Sequence, residues 1–498
     1  MHPLLRTSAL EIARRIRRGE LSSRQAVDVH IARIEAVNPT IRAMVADRFA
    51  VARAEADAAD ARRAREPAAS LPPLHGVPCT IKECFALEGM PNCAGLVSRA
   101  AHRSTSDATA VARLRRAGAI PLGVTNTSEL CMWIESDNKV YGRTNNPYDP
   151  RCVAGGSSGG EGSIVGAGGS PFGLGSDIGG SIRGPAFFNG VFGHKPTGGL
   201  VPGSGQFPIA HGDGLRLLST GPIARRAEDL MPLLRILAGP DGIDERCTPM
   251  PLGDPAAIAI EGLTVLDVPD DGRMPVDREL REAQARVASH LAKAGARVSI
   301  RRFAGLARSL EIWAARMAAT GGEPFGTMLG GGTPLRLLPA IVDFALGRSP
   351  HTLAALGLAV IEKLPALEGE TARRMIALGV QLRDEIEAAL GEHGVLLFPV
   401  YTKPAPRHGA VLLPPLGWQY TAIINALELP ATAVPLGLSS RGVPLGLQVV
   451  GRRGQDHVTI AVALELERAF GGWIAPGRLG ESSRAPLVRQ FASSSPRS

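Results

Sequence analysis

Between residues 74 and 235 short apolar runs alternate with helical periodicity, and two glycine-rich clusters sit inside that alternation. Residues 76–81 read as a short strand, 107–117 as a helix and 119–124 as a second strand. Such alternation builds an α/β core. A glycine cluster inside a core is a different object from a linker between domains. It marks a place where the backbone must turn sharply or approach another group closely.

The first cluster is Gly155-Gly156-Ser157-Ser158-Gly159-Gly160-Glu161-Gly162. As a phosphate loop it lacks the GK[ST] ending, and no lysine lies between Lys139 and Lys195. As a nucleophile elbow it offers Ser157 and Ser158, each matching G-x-S-x-G. An elbow needs a strand immediately before it, and Asn145-Asn146-Pro147-Tyr148-Asp149-Pro150 is turn material. The second cluster is Gly175-Ser176-Asp177-Ile178-Gly179-Gly180-Ser181-Ile182-Arg183-Gly184-Pro185. Its backbone N–H groups carry little side-chain bulk and can converge on one point, as an oxyanion requires; a tight turn is the plainer account. Lys82 ends the apolar run from Gly76. There it either snorkels to solvent or is buried with a lowered pKa that suits a base.

Together, GGSSGGEG at 155–162, DIGGSIRGPA at 177–186 and Gly193-His194-Lys195-Pro196-Thr197 resemble the amidase signature hydrolases, with a spacing of 24 residues from Ser157 to Ser181. The likeness is strong over 74–229 and resumes from Phe398-Pro399 through Pro430-Ala431 to 446–451. Within that family it is greatest to fatty-acid amide hydrolases, the second vertebrate type above all. The shared residues are Lys82-Glu83, Ser128-Glu129-Leu130-Cys131-Met132-Trp133, Tyr141-Gly142-Arg143 and Pro185-Ala186-Phe187-Phe188-Asn189-Gly190. The resemblance implies an α/β fold with a mixed twisted β-sheet sandwiched between helices. It implies hydrolysis of a carboxylic amide by a Ser-Ser-Lys triad: Ser181 as nucleophile, Ser157 (after a cis peptide bond) as relay, Lys82 as base. Ile178, Gly179, Gly180 and Ser181 align with the oxyanion-hole donors, and Cys131 with a position that touches substrate. No metal and no organic cofactor are implied.

A serine hydroxyl is a poor nucleophile until a base takes its proton. A lysine can be that base only where it loses its charge, and a hydroxyl can relay because it both donates and accepts. Asp177 and Arg183 flank the second cluster and are expected to form a buried pair. Met132 and Trp133 read as packing residues that could also line an acyl pocket. His194 reads as a packed, hydrogen-bonded residue, and His75, His211 and His408 as loop residues.

Residues 1–73 are expected to form an N-terminal helical segment packed on the core. Ser8 with Glu11 makes a capping box, a second helix runs from about Leu21 to Asn38-Pro39, and residues 50–64 form a third. Residues 74–480 form the amidase signature domain, with 304–390 as a helical insertion and 481–498 as a disordered tail. Within the insertion, residues 336–367 read as two apolar helices joined by Gly347-Arg348-Ser349-Pro350. They are either a buried core pair or a hydrophobic cap beside the acyl entrance.

Composition narrows the partners. The net charge of +8 comes from arginines scattered singly and in pairs, and aromatics are only 4%, too few for a base-stacking platform. Nucleic acid is therefore not expected. The six cysteines show no zinc spacing and no disulfide framework. The first twenty residues lack a signal-peptide h-region, and the longest apolar stretch, Leu353–Ile361, is short of a membrane span. A cytoplasmic protein with a small-molecule amide substrate and at most weak membrane contact is expected, with a homodimer left open. The rival readings are a carbamate or ester hydrolase of the same family, an α/β-hydrolase esterase using Ser157 or Ser158, and an amidotransferase subunit.

Overall fold

The computed structural model describes residues 1–363, 369–412 and 417–477. The tail predicted at 481–498, like part of 336–367, lies outside them.

Thirteen strands, numbered along the chain, form one large sheet and one small hairpin. The hairpin is Asp137–Asn138 (β4) with Gly142–Arg143 (β5). The large sheet begins with Met44–Asp47 (β1), Ile120–Thr125 (β3), Pro78–Lys82 (β2), Phe172–Asp177 (β6), Ser219–Ala224 (β8) and Phe192–Lys195 (β7), in that spatial order. It continues with Ala431–Leu438 (β12), Pro444–Gly451 (β13), Val395–Phe398 (β11), Thr264–Asp267 (β9) and Arg297–Ile300 (β10). The sheet is mixed: β3, β2 and β6 run parallel, as do β11, β9 and β10, and antiparallel strands join the two groups. Helices cover it, so β2, β3, β6, β8 and β13 are buried along their whole length. The α/β class expected from the sequence is the class observed.

Four central strands, β6, β7, β8 and β12, have no clear strand signal in the sequence. Their segments (FGLGSD, FGHK, STGPIA, ATAVPLGL) carry glycine or proline where β-propensity is low. Tertiary packing decides instead. A Cβ on Gly173 in β6 would lie 1.7 Å from the Glu161 carboxylate, so only glycine admits that side chain.

The N-terminal helices join the same core through Ile12, Ile16, Val27, Ile31 and Ile34. Ala9 and Leu10 at the start of Ala9–Arg18 donate their N–H groups to Asp229, at 2.9 and 3.0 Å. The second helix, Ser23–Ile41, runs past Pro39, where the sequence had suggested its end. Asn38 accepts from the N–H groups of Ala43 and Met44, and Arg42, in the left-handed conformation, closes the helix two residues later.

Leu337–Ala345 and Leu353–Ile361 are the two apolar helices anticipated in the middle region, and they are not a buried core pair. The first buries no residue at all, and Leu338 is 75% exposed. Their inner faces form a satellite cluster with Leu96, Leu130, Phe325 and Leu329, separate from the main core. Among the described residues no helix is long and apolar enough to cross a membrane.

Candidate active site

The C-terminal ends of parallel strands β2 and β6 lie side by side, the usual place for chemistry in α/β sheets. Lys82 is the last residue of β2. It is fully buried, and its Nζ donates to Ser157 Oγ at 2.6 Å and to Ser176 Oγ at 3.0 Å. No carboxylate forms an ion pair with it among the described residues. Lys195, also fully buried, makes a useful contrast. Its Nζ donates to the Pro196 carbonyl at 2.8 Å and to Ser219 at 3.4 Å, and burial together with the Arg183 charge pushes its pKa down to about 7. Of these two, Lys82 is the one that bonds to serines of both glycine clusters.

Ser157 follows a cis peptide bond to Gly156, the isomer the resemblance implies. Ser136 ties this loop down: its hydroxyl donates to the Ser157 carbonyl at 2.9 Å and accepts from Gly159 N–H at 2.9 Å. Ser158 links the two clusters. Its N–H donates to the Ser181 carbonyl at 3.3 Å and its hydroxyl to the Ser176 carbonyl at 3.2 Å. Ser181 itself is 8% exposed, against 1% for Ser157 and 0% for Lys82. The structure thus brings Lys82 and Ser157 into contact, while the buried Ser181 hydroxyl makes no hydrogen bond to either among the described residues. No strand precedes the first cluster, and no histidine bonds to Ser157 or Ser158 among the described residues, so the elbow reading finds no support.

The loop from Asp177 to Arg183 is organised by one carboxylate. Asp177 accepts from the N–H groups of Gly180 (2.7 Å), Ile182 (3.0 Å) and Arg183 (3.3 Å), and from the Arg183 guanidinium at 2.9 and 3.0 Å. Arg183 also donates to Gln448, the Thr421 carbonyl and Asn425. Burial works to raise the Asp177 pKa, but the charge and hydrogen bonds of Arg183 hold it well below the usual carboxylate range. The buried pair expected from the sequence is present, with both side chains fully covered. Gly180 has φ +122°, and a Cβ there would meet Thr421 Oγ1 at 2.1 Å, so this position takes glycine only.

Of the four candidate oxyanion donors, Gly180 N–H is already engaged by Asp177. The N–H groups of Ile178, Gly179 and Ser181 have no protein partner among the described residues.

Cys131 lies on the turn Glu129–Cys131, where Leu130 and Cys131 both take positive φ. Its sulfur is 3.3 Å from Thr127 Oγ1. Its pKa is held down to about 6, first by the neighbouring Cys84, against burial and with help from the Lys82 charge. Cys84 approaches Ser176 Oγ at 3.8 Å, and Ser176 accepts from Lys82. Trp133 packs on the main core and Met132 on the satellite cluster. His194 is buried between Thr432 and Asp456, as a packed residue.

Two neighbours of Lys82 escaped the sequence reading. Ser176 stands inside the second cluster, and the alternation of β6 toward β2 could have singled it out. Glu161 accepts from Thr80 Oγ1 at 2.6 Å and Thr125 Oγ1 at 2.7 Å, one residue on the strand of Lys82 and one paired with it. Burial raises its pKa to about 8, against the two hydroxyls and the Lys82 charge. Among the described residues no group of three or more His, Cys, Asp or Glu could hold a metal ion.

A family model described as Amidase matches residues 25–460. Fatty-acid amide hydrolase 2-B of Danio rerio is 46% identical over 491 residues, covering 96% of this chain and 92% of that protein. Fatty-acid amide hydrolase 2 of Homo sapiens is 44% identical over 492 residues, covering 96% and 91%. A solved structure of fatty acid amide hydrolase superposes with a TM-score of 0.78 over 95% of this chain and 87% of that chain. Its identity is 24%, so it bears on the fold alone.

Proposed function

The chain belongs to the amidase family and is an amide hydrolase, and from that premise we propose that it cleaves fatty-acyl amides through an acyl-enzyme on Ser181. The observation that carries the reading is the 2.6 Å contact between Lys82 Nζ and Ser157 Oγ in a fully buried setting. Ser181 Oγ attacks the amide carbonyl while its proton passes to Ser157 and from Ser157 to Lys82 Nζ, which acts as the base. The carbonyl electrons move onto oxygen, where the N–H groups of Ile178, Gly179 and Ser181 meet the charge. As the tetrahedral intermediate collapses, the C–N bond breaks and the proton returns through Ser157 to the leaving nitrogen. Water then repeats the sequence on the ester and frees the acid.

The acyl preference rests on the satellite cluster and on the two fatty-acid amide hydrolase relatives. Leu130 and Met132, flanking Cys131, pack with Phe325, Leu329 and Leu356 of the outer helices. An acyl chain running along these residues would gain about 0.8 kcal/mol per buried methylene. The test is an acyl p-nitroanilide series from acetyl to dodecanoyl below micelle concentrations, with an aryl amide and a carbamate alongside. kcat/KM should climb with chain length. A preference for the shortest acyl group, or for the carbamate, contradicts the fatty-acyl assignment. Lys82→Ala and Ser157→Ala should each cost several orders of magnitude in kcat and, as parts of one relay, should not add.

A further inference from the structure

We infer that Trp313 is a positioning residue for the oxyanion loop, setting the direction of the Gly179 N–H from the far side of its peptide plane. The inference rests on the acyl-enzyme reading above. Trp313 lies on the Ser309–Ala318 helix, in the part of the chain with no diagnostic motif. Its indole Nε1 donates to the Ile178 carbonyl at 2.8 Å. Its ring lies 3.6 Å from where a Gly179 Cβ would stand, in ordinary contact with the loop.

A trans peptide is planar, and its C=O and the following N–H point in opposite directions. Whatever holds the Ile178 carbonyl therefore aims the Gly179 N–H. The next plane along shows the same device with both ends filled. Thr421 Oγ1 donates to the Gly179 carbonyl at 2.8 Å, while Gly180 N–H donates the other way, to Asp177, at 2.7 Å. In the Ile178–Gly179 plane only the carbonyl end is held, by Trp313. The N–H end has no protein partner among the described residues and lies two residues before Ser181.

Trp313 is itself fixed. Its ring meets Trp418 edge-on, with centroids 5.0 Å apart at 80°. Ile312, next to it, is fully buried, and Arg316 one turn on pairs with Glu428 at 3.0 Å. A rigid donor keeps the plane in place before charge develops, and such preorganisation lowers the barrier rather than tightening substrate binding.

The experiment compares wild type with Trp313→Phe, and with 3-benzothienylalanine at the same position, which keeps the ring shape and removes only the N–H. Both substitutions should lower kcat about 10- to 30-fold and leave KM within about twofold. Both should weaken a fatty trifluoromethyl ketone, which forms the tetrahedral adduct, by a similar factor, while binding of the product fatty acid stays unchanged. A rise in KM and weaker fatty-acid binding, with trifluoromethyl ketone affinity weakened no more than fatty-acid affinity, would make Trp313 a pocket wall and overturn the inference. If the ketone fails to inhibit wild type, the acyl-enzyme reading falls first, and that outcome is visible before any variant is made.

Discussion

The loop from Asp177 to Arg183 and the helices Leu337–Ala345 and Leu353–Ile361 answer to opposite physical rules. In the loop one buried carboxylate receives five donors, and three backbone N–H groups are left without a protein partner among the described residues. In the helices large apolar side chains are exposed: Leu338, Ile341 and Val342 on the first, with Leu346 just past its end, and Leu353, Val360 and Ile361 on the second. The Asp177–Arg183 network pins the loop from within and to Gln448, Thr421 and Asn425 outside it. The second helix is tied at its start by one carboxylate. Glu129 accepts from His351 Nδ1 at 2.8 Å and from Thr352 through its N–H at 2.8 Å and its hydroxyl at 2.9 Å. On the proposed reading, chemistry and acyl-chain contact fall to these two differently built regions, joined through the turn that carries Glu129 and Cys131.

The contrast should be broken most severely at Arg183. Arg183→Ala leaves Asp177 charged and buried without its partner, so denaturant unfolding should show a loss of about 3–5 kcal/mol. A loss below 1 kcal/mol would mean that the Asp177 network is not the frame of the loop.

Glu161 gives the next effect, and its sign is fixed. The folded carboxyl keeps its proton up to about pH 8, against an ordinary 4.5, because burial outweighs its hydrogen bonds and the Lys82 charge. Between those values the folded chain binds more protons than the unfolded chain, so this group's stabilising contribution is lost as pH rises. Glu161→Gln removes the titration. It should therefore gain on wild type by a few kcal/mol between pH 4 and pH 9, read from melting curves. A gain toward acid instead would show that Glu161 is ionised in the fold.

These two residues also show what a sequence can disclose. Arg183 stands in a glycine-rich motif with unusual spacing, so its pairing with Asp177 was legible. Lys82, Ser157 and Ser181 were nominated in the same way, and the geometry places the first two in contact. Glu161 was quoted inside a motif without a role, because nothing local says that Thr80 and Thr125 will face it. Trp313 was invisible, a single aromatic in an ordinary amphipathic helix whose partner is 135 residues away. The α/β class followed from alternation. Strands β6, β7, β8 and β12 did not, since glycine and proline there answer to neighbours rather than to propensity.

Smaller effects belong to the outer region. Glu129→Ala removes three hydrogen bonds from the start of Leu353–Ile361 and should cost about 1–3 kcal/mol locally. Limited proteolysis should then cut between residues 330 and 363 while Lys82, Ser157 and Ser181 stay in a resistant core. Cleavage of the core at the same rate would show one cooperative unit. Leu338→Asp should change global stability by less than about 0.5 kcal/mol, because the side chain is already in solvent. A large loss would return these helices to the core.

The most direct test of the account is where an activated phosphorus electrophile becomes bonded. A fluorophosphonate incubated with the whole protein, followed by digestion and mass spectrometry, should place the adduct on the peptide containing Ser181, and Ser181→Ala should abolish both labelling and turnover. An adduct on Ser157 or Ser158, or full activity in Ser181→Ala, would contradict it.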